Sequence, residues 1–245
     1  MSRPNTRDAI LATALRLFNE SGTAEVSTNH IAKAMAISPG NLYYHFRNKE
    51  AIVRELFEQL YARWDQQYAF SNPAEPDLND LRGMLTATFR TNWDFRFIFR
   101  ELAALLQRDP ELKKRWLSVR ERGFEGFAQL FNLFVAAGVL RAPTDPAEIR
   151  RLTELIWLIS EFWLPTLEIS DRTTRSDDFY HGVELMSQVM APYVVTSPAR
   201  RKSSIGFRSS GRAYCPARHH LLTRLPKHDA QGRLSLRLTD GGTLN

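Results

Sequence analysis

Two short helical patterns stand back to back in this chain, each opened by a serine able to cap it. Ser27 precedes a pattern running to about Met35, and Ser38 precedes one that carries Leu42 and Phe46. Helices of about two turns are not stable alone, so flanking helices must bury Ile31 of the first and Leu42 and Phe46, four apart, of the second. Pro39 occupies the first helical position of the second pattern, where a missing N–H costs nothing. With its apolar side committed inward, that helix displays Asn41, Tyr43, Tyr44 and His45 close together. This is the layout of a helix-turn-helix, whose second helix enters the major groove of DNA.

The remaining chain reads as helical throughout. A first helix is expected from Asn5 or Thr6, either of which can cap it, with Asp8 favoured in the first turn by the helix dipole. Ile10, Ala14, Leu17 and Phe18 form its apolar face, and Gly22 supplies its stop. A fourth helix opens at Asn48 and carries Ile52, Val53, Leu56 and Leu60 to about Phe70. Asn72-Pro-Ala-Glu-Pro76 breaks the pattern. Further helical patterns cover about 77–107, 110–137, 145–168 and 176–194, and Trp93-Asp94-Phe95 marks a bend in the first of these. The spacing predicts an all-α protein of three parts: a head at 1–50, a helical body at 51–196 and a tail at 197–245.

Charge separates the same parts. The chain carries a formal net charge of +6, but residues 197–245 hold ten Lys/Arg against two Asp/Glu. The other 196 residues hold 23 against 25, and residues 1–50 alone hold six against four. Gly206, Gly211, Pro216 and Gly241-Gly242 interrupt every helical pattern in the tail, which predicts disorder. Its basic character admits three readings: a bystander, a non-specific DNA tether or a tether to anionic membrane.

Several function classes lack their residues. No Gly-x-Ser-x-Gly, Gly-x-x-x-x-Gly-Lys, Gly-x-Gly-x-x-Gly or His-Glu-x-x-His occurs, so no enzyme and no cofactor is expected. His30, His45 and His181 are far apart in sequence, and Cys215, His219, His220 and His228 lack a standard zinc spacing, so no metal is expected. One cysteine fits a reducing cytoplasm. No apolar run reaches 18 residues, so no transmembrane helix is expected, the N-terminus lacks the apolar centre of a signal peptide, and no membrane partner is expected unless the basic tail tethers one.

The run Leu42-Tyr43-Tyr44-His45-Phe46 followed by Asn48-Lys49-Glu50, with Phe18, Gly22 and the Ser27-to-Ile37 helix-turn upstream, resembles the TetR family of bacterial transcriptional regulators. The resemblance is close over residues 5–52; to about residue 195 it rests on length, helix count and the lack of strands. Phe95-Arg-Phe-Ile-Phe-Arg-Glu-Leu102 followed by Asp109-Pro-Glu-Leu112 is similar to a subgroup that includes regulators of polyester storage and lipid metabolism. The resemblance implies a dimeric repressor that a small molecule releases from a palindromic operator. It also implies that Tyr44 and His45 lie at the DNA surface, that Tyr43 touches the DNA backbone and that Lys49 contacts a phosphate.

Residue chemistry bears on the same positions. Asn41 has the donor and acceptor to bond an adenine edge in two places, a contact worth roughly 1–3 kcal/mol of discrimination; a solvated surface Asn is the alternative. Gly40 costs helix stability, which fits close approach of its backbone to DNA, or else Ser38-Pro39-Gly40 is only a tight turn. Ser27 and Thr28 offer hydroxyls and helix-terminal N–H groups to a phosphate. Lys49 opposes the dipole at the start of helix four, an objection a phosphate would remove. The recognition helix holds no Arg or Lys, so an arginine–guanine code is absent and readout leans on Asn41, aromatic contacts and DNA shape.

One recognition helix buries too little for tight specific binding, so a homodimer with two heads on half-sites is expected. By the resemblance, pairing uses the last two helices, with Leu152, Leu155, Ile159 and Trp163 from one and Phe179, Val183, Met186 and Met190 from the other. The body is dense in bulky apolar groups, and an effector pocket walled by Phe89, Trp93, Phe97, Arg100, Trp116, Phe127, Phe131 and Trp157 is expected, ordinary core being the alternative. Arg96, Glu101 and Glu161 are further polar candidates for orienting an effector, which is expected to be lipid-like or aromatic, such as an acyl thioester. The competing reading of the whole chain is a helical carrier protein without specific DNA binding.

Overall fold

A computed structural model describes residues 5–67, 75–170 and 178–195. Nine α-helices are formed among the described residues: α1 (Thr6–Glu25), α2 (Thr28–Ala34), α3 (Pro39–His45), α4 (Lys49–Gln66), α5 (Leu78–Asp94), α6 (Arg96–Arg108), α7 (Pro110–Ala136), α8 (Pro146–Ile169) and α9 (Phe179–Met190). An isolated antiparallel bridge joins Leu140 to Val194. No helix among the described residues is long and apolar enough to cross a membrane. The end of the fourth helical pattern near Phe70, most of the breaks at 72–76 and 170–176, and the whole tail at 197–245 lie outside the described residues.

Local chemistry sets the helix starts. Asn5 accepts from Arg7 N, Ser38 from Asn41 N, Asn48 from Ala51 N, Asp109 from Leu112 N and Asp145 from Ala147 N, each satisfying an N–H the helix cannot. Ser27 and His30 cap each other reciprocally, so the α2 capping box is closed by a histidine in place of the usual Glu or Gln. Phe95 leaves helical geometry at φ −108° and divides α5 from α6 at the expected bend. Gly22, the expected stop, leaves helical geometry at φ 77° and ψ 164°, and after this kink one further turn runs through Glu25.

Two helices end in the same way. At the end of α7, Gly138 N donates to Val135 O and Val139 N to Phe134 O, with Gly138 in the left-handed region. At the end of α2, Ala36 N donates to Lys33 O and Ile37 N to Ala32 O, with Ala36 at φ 54°. Both are Schellman closures, and the second places an alanine where glycine is preferred. That closure is the turn between α2 and α3, so it aims the recognition helix.

Packing joins head and body. Ile10, Leu11, Ala14 and Phe18 of α1 share a core with Ile31, Leu42, Phe46 and Ile52. Phe18 also lies 5.3 Å from Phe97 of α6, ring centroid to ring centroid, so the cores are continuous. In the body, α4 and α7 meet through Phe57, Tyr61, Trp64 and Trp116. The α9 helix packs on α5 and α8, where Phe89 presses so closely on Gly182 that an added Cβ would stand 2.3 Å from its ring. A second cluster gathers Leu81, Phe131, Phe134, Leu140, Leu152 and Met190.

These contacts correct part of the pairing surface expected from sequence. Leu152, Trp163, Phe179, Met186 and Met190 are buried in the protomer's own core, and Ile159 and Val183 are half-buried; of the eight, Leu155 stands exposed. The reason is that α8 is apolar on most of its circumference, so periodicity did not distinguish its inner from its outer side. Leu155, Leu158, Phe162 and Ile169 of α8, with Tyr180 and Leu185 of α9, are the large apolar side chains these two helices leave exposed.

Candidate nucleic-acid interface

The α3 helix is anchored from beneath and open above. Leu42 and Phe46 are buried, while Ser38, Pro39, Gly40, Asn41, Tyr43 and Tyr44 are exposed and His45 is half-buried. Tyr44 is 85% exposed, the most open large apolar side chain in the head, and its ring meets that of His45 edge-on at 5.1 Å. Its phenol ring is therefore available to a partner from outside the protomer. Tyr43 leans the other way: its hydroxyl lies 3.0 Å from Thr28 Oγ1, which ties the exposed side of α3 to the start of α2.

Gly40 is in ordinary backbone geometry, and a Cβ added there would meet only Ser38 Oγ, at 3.9 Å. Nothing inside the protomer requires a glycine there, and the open space leaves its backbone accessible from outside. Each of the helices α2, α3 and α4 carries partial positive charge at its N-terminus. Ser27 and Thr28 sit at the first of these N-termini. Arg47 is exposed between α3 and α4, and no local pattern in the sequence marks it.

Lys49 is held differently from expectation. Its ammonium donates to the carbonyl of Thr23, the residue after the Gly22 kink, so its position is fixed by the fold. Two N–H groups remain for a phosphate. Thr23 is in turn gripped by Glu101 of α6, and Asn19 bridges the same junction: its Nδ2 donates to Asp94 O and its Oδ1 accepts from Phe97 N. Arg100 donates to Asn19 O and to Glu168 of α8. No local pattern in the sequence marks Asn19 or Glu101 as a joint, because each partner lies about 75 residues or more away.

The expected effector-pocket residues do not wall one space. Phe89, Phe97 and Trp116 belong to the first core, and Phe131, with Phe127 against it, to the second. Trp157 lies against Gly123 and beside Phe124, and Arg100 serves the α1–α6–α8 junction. Trp93 borders an open hollow of about 310 Å³ with Arg16, Arg63 and Arg96. Within that hollow the Arg96 guanidinium stands over the Trp93 ring, and burial and the neighbouring Arg100 push its pKa down.

Residues 10–56 match the family model described as bacterial regulatory proteins, tetR family, and residues 54–202 match the model described as bacterial transcriptional repressor. The transcriptional regulator EthR of Mycolicibacterium smegmatis is 31% identical over 137 residues, 54% of this chain and 63% of that protein. The chain thus spans somewhat less than two thirds of that relative's length. QacR of Staphylococcus aureus is 38% identical over 64 residues, 26% of this chain and 34% of that protein. Among solved structures, a TetR-family regulator from Marinobacter aquaeolei superposes with a TM-score of 0.71 at 31% identity, over 78% of this chain and 92% of that one. The ketosteroid regulator KstR2 of Mycobacterium tuberculosis, at 20% identity and a TM-score of 0.57, shares the fold over 79% of this chain and 97% of its own. With both family models matched across head and body, the chain belongs to the TetR family of bacterial transcriptional regulators.

Proposed function

We propose that this protein is a sequence-specific DNA-binding repressor that acts in the cytoplasm as a homodimer on a palindromic operator. The head, residues 1–50, reads the DNA. Asn41, Tyr44 and His45 face the groove, Gly40 lets the backbone approach, Ser38 and Pro39 start the helix, and Ser27, Thr28, Tyr43 and Lys49 hold phosphates. The observation that carries this reading is the 85% exposure of Tyr44 on a helix whose opposite side is wholly buried.

The body, residues 51–196, pairs two protomers and binds a small effector with an apolar, lipid-like or acyl-thioester body. Pairing uses the exposed apolar stripe Leu155, Leu158 and Phe162 together with Tyr180 and Leu185. The joint at Asn19, Thr23, Arg100 and Glu101 supports transmission between body and head, since a shift of α6 must move the end of α1. An effector acts only if it binds the DNA-incompetent arrangement more tightly.

The test is selection of bound sites from a random duplex library at fixed moderate salt, with wild type and Tyr44→Ala. Enrichment of one palindrome by wild type alone is the expected result. No enrichment, or equal binding by both proteins, would leave only non-specific charge at work and favour a carrier protein.

A further inference from the structure

Among the ion pairs of the described residues, the most buried carboxylate has the poorest partner. The Glu161 side chain is 8% exposed, yet its Oε1 stands 3.6 Å from Arg120 Nε, and neither atom has a hydrogen-bond partner. Elsewhere in the body Arg54–Asp109 closes to 2.6 Å and Arg115–Glu58 to 2.7 Å. Burying a carboxylate oxygen without a hydrogen bond is costly, and a well-packed apolar residue would serve the fold better. The Arg120 side chain, by contrast, is 38% exposed, so its guanidinium reaches water by rotating away.

The surroundings suit a cation with an apolar body. On α8, Trp157 lies one turn before Glu161. On α7, Phe124 lies one turn after Arg120, and its ring is 5.6 Å from that of Trp157. The Arg120 guanidinium already sits over Phe124, 5.4 Å from the ring centroid. Trp64 extends the aromatic surface from α4, 6.2 Å from Trp157. A carboxylate beside ring faces binds organic ammonium ions through charge and the ring quadrupoles together.

We propose that Glu161, with the ring faces of Trp157 and Phe124, anchors a lipophilic organic cation, and that Arg120 holds that cation's place in this structure and swings out when it binds. The proposal rests on the effector reading above and deepens it: the effector's apolar body carries a positively charged head group. Burial, which raises the Glu161 pKa, is opposed by Arg120, and a bound cation would oppose it further. Trp157 presses on the α7 backbone at Gly123, where an added Cβ would lie 2.4 Å from its ring.

The test uses the full chain and two probes, phenylbutyltrimethylammonium and its uncharged isostere with carbon in place of nitrogen, titrated by calorimetry and tryptophan fluorescence. Wild type should bind the cation about tenfold more tightly than the isostere. Glu161→Gln should abolish that preference, and Arg120→Gln, which removes the internal competitor, should strengthen cation binding about tenfold. Equal binding of both probes by wild type, an undiminished preference in Glu161→Gln, or no gain in Arg120→Gln would overturn the proposal. Arg120→Gln decides the matter even if Glu161→Gln does not fold. Release of the selected operator is read in the same samples. Cation binding through Glu161 without release upholds the site and overturns the effector reading. Release by a neutral lipid that persists in Glu161→Gln, with no preference for the cation, upholds the effector reading and overturns the site.

Discussion

Glu101 receives both hydrogen-bond donors of Thr23, the backbone N–H on Oε1 at 2.7 Å and the hydroxyl on Oε2 at 2.5 Å. Lys49 takes the Thr23 carbonyl, so one buried residue joins α1, α4 and α6. Gly22, just before it, stands at φ 77°, and a Cβ there would lie 2.9 Å from Glu101 Oε1. The head is thus fastened to the body by a carboxylate that needs a glycine beside it.

Gly22→Ala should destabilise the protein by about 1–3 kcal/mol, from left-handed strain and the clash with Glu101 together. Glu101→Ala should cost about 1–3 kcal/mol by stranding the buried Thr23 N–H. Because the two changes share the Glu101 carboxylate, the double variant should cost less than their sum. Urea unfolding of the four proteins measures this, and strict additivity would refute the shared contact.

Ala36 occupies the left-handed position that Gly138 fills at the end of α7. Ala36→Gly should therefore stabilise the turn between α2 and α3 by about 0.5–1 kcal/mol, relief of strain exceeding the entropy lost on folding. Thermal unfolding should show a raised midpoint. A lowered midpoint would mean that the alanine methyl packs better than its exposure indicates.

Asp109 caps α7 and accepts two hydrogen bonds from Arg54, which hold its pKa below the usual carboxylate value. Its stabilising contribution is present above the unfolded value of about 3.9 and is lost as pH falls through the lowered folded value. Asp109→Asn keeps a capping oxygen but removes the charge, and should cost about 1–2 kcal/mol at pH 7. Urea midpoints at pH 7 and pH 3 should show the gap between the two proteins closing in acid.

Tyr44→Ala should leave stability within about 0.5 kcal/mol, since the side chain is exposed and its one ring contact is the edge of His45. Its affinity for the selected operator should fall about tenfold at fixed salt, and Asn41→Ala should relax base preference at one position of each half-site. Fluorescence anisotropy with the palindrome and single-base variants reads both effects. A Tyr44→Ala protein that binds normally but unfolds early would make the residue structural.

Phe162→Glu places a charge in the exposed apolar stripe of α8. The dimer should weaken at least about tenfold while the monomer keeps its helical content. Sedimentation equilibrium distinguishes this from Leu155→Ala, a milder truncation on the same stripe. An unchanged assembly in Phe162→Glu would move the interface elsewhere.

Much of this architecture was readable along the chain because its determinants are local. Ser27, Ser38, Asn48, Asp109 and Asp145 each cap a helix through an N–H two or three residues away, and Pro39 and Pro110 open helices at positions where their missing donor is harmless. The break at Phe95 and the exposed row on α3 follow from the same short-range chemistry. Interactions that span a turn or less leave their signature in consecutive residues, so the helices, their order and the reading head could be placed from the sequence by itself.

Direction was decided only by the tertiary structure. The α8 sequence is apolar on most sides, and nothing in its period separates buried Leu152 and Trp163 from exposed Leu155, Leu158 and Phe162. Likewise Glu101 could have been any solvated helix carboxylate until α6 brought it to Thr23, 78 residues earlier. Lys49 reads as a free cation until the kink at Gly22 turns a carbonyl toward it. Side-chain periodicity specifies that a helix has an inside; which neighbour supplies that inside depends on contacts between residues far apart in the chain, whose pairing energy exists only once the fold has brought them together.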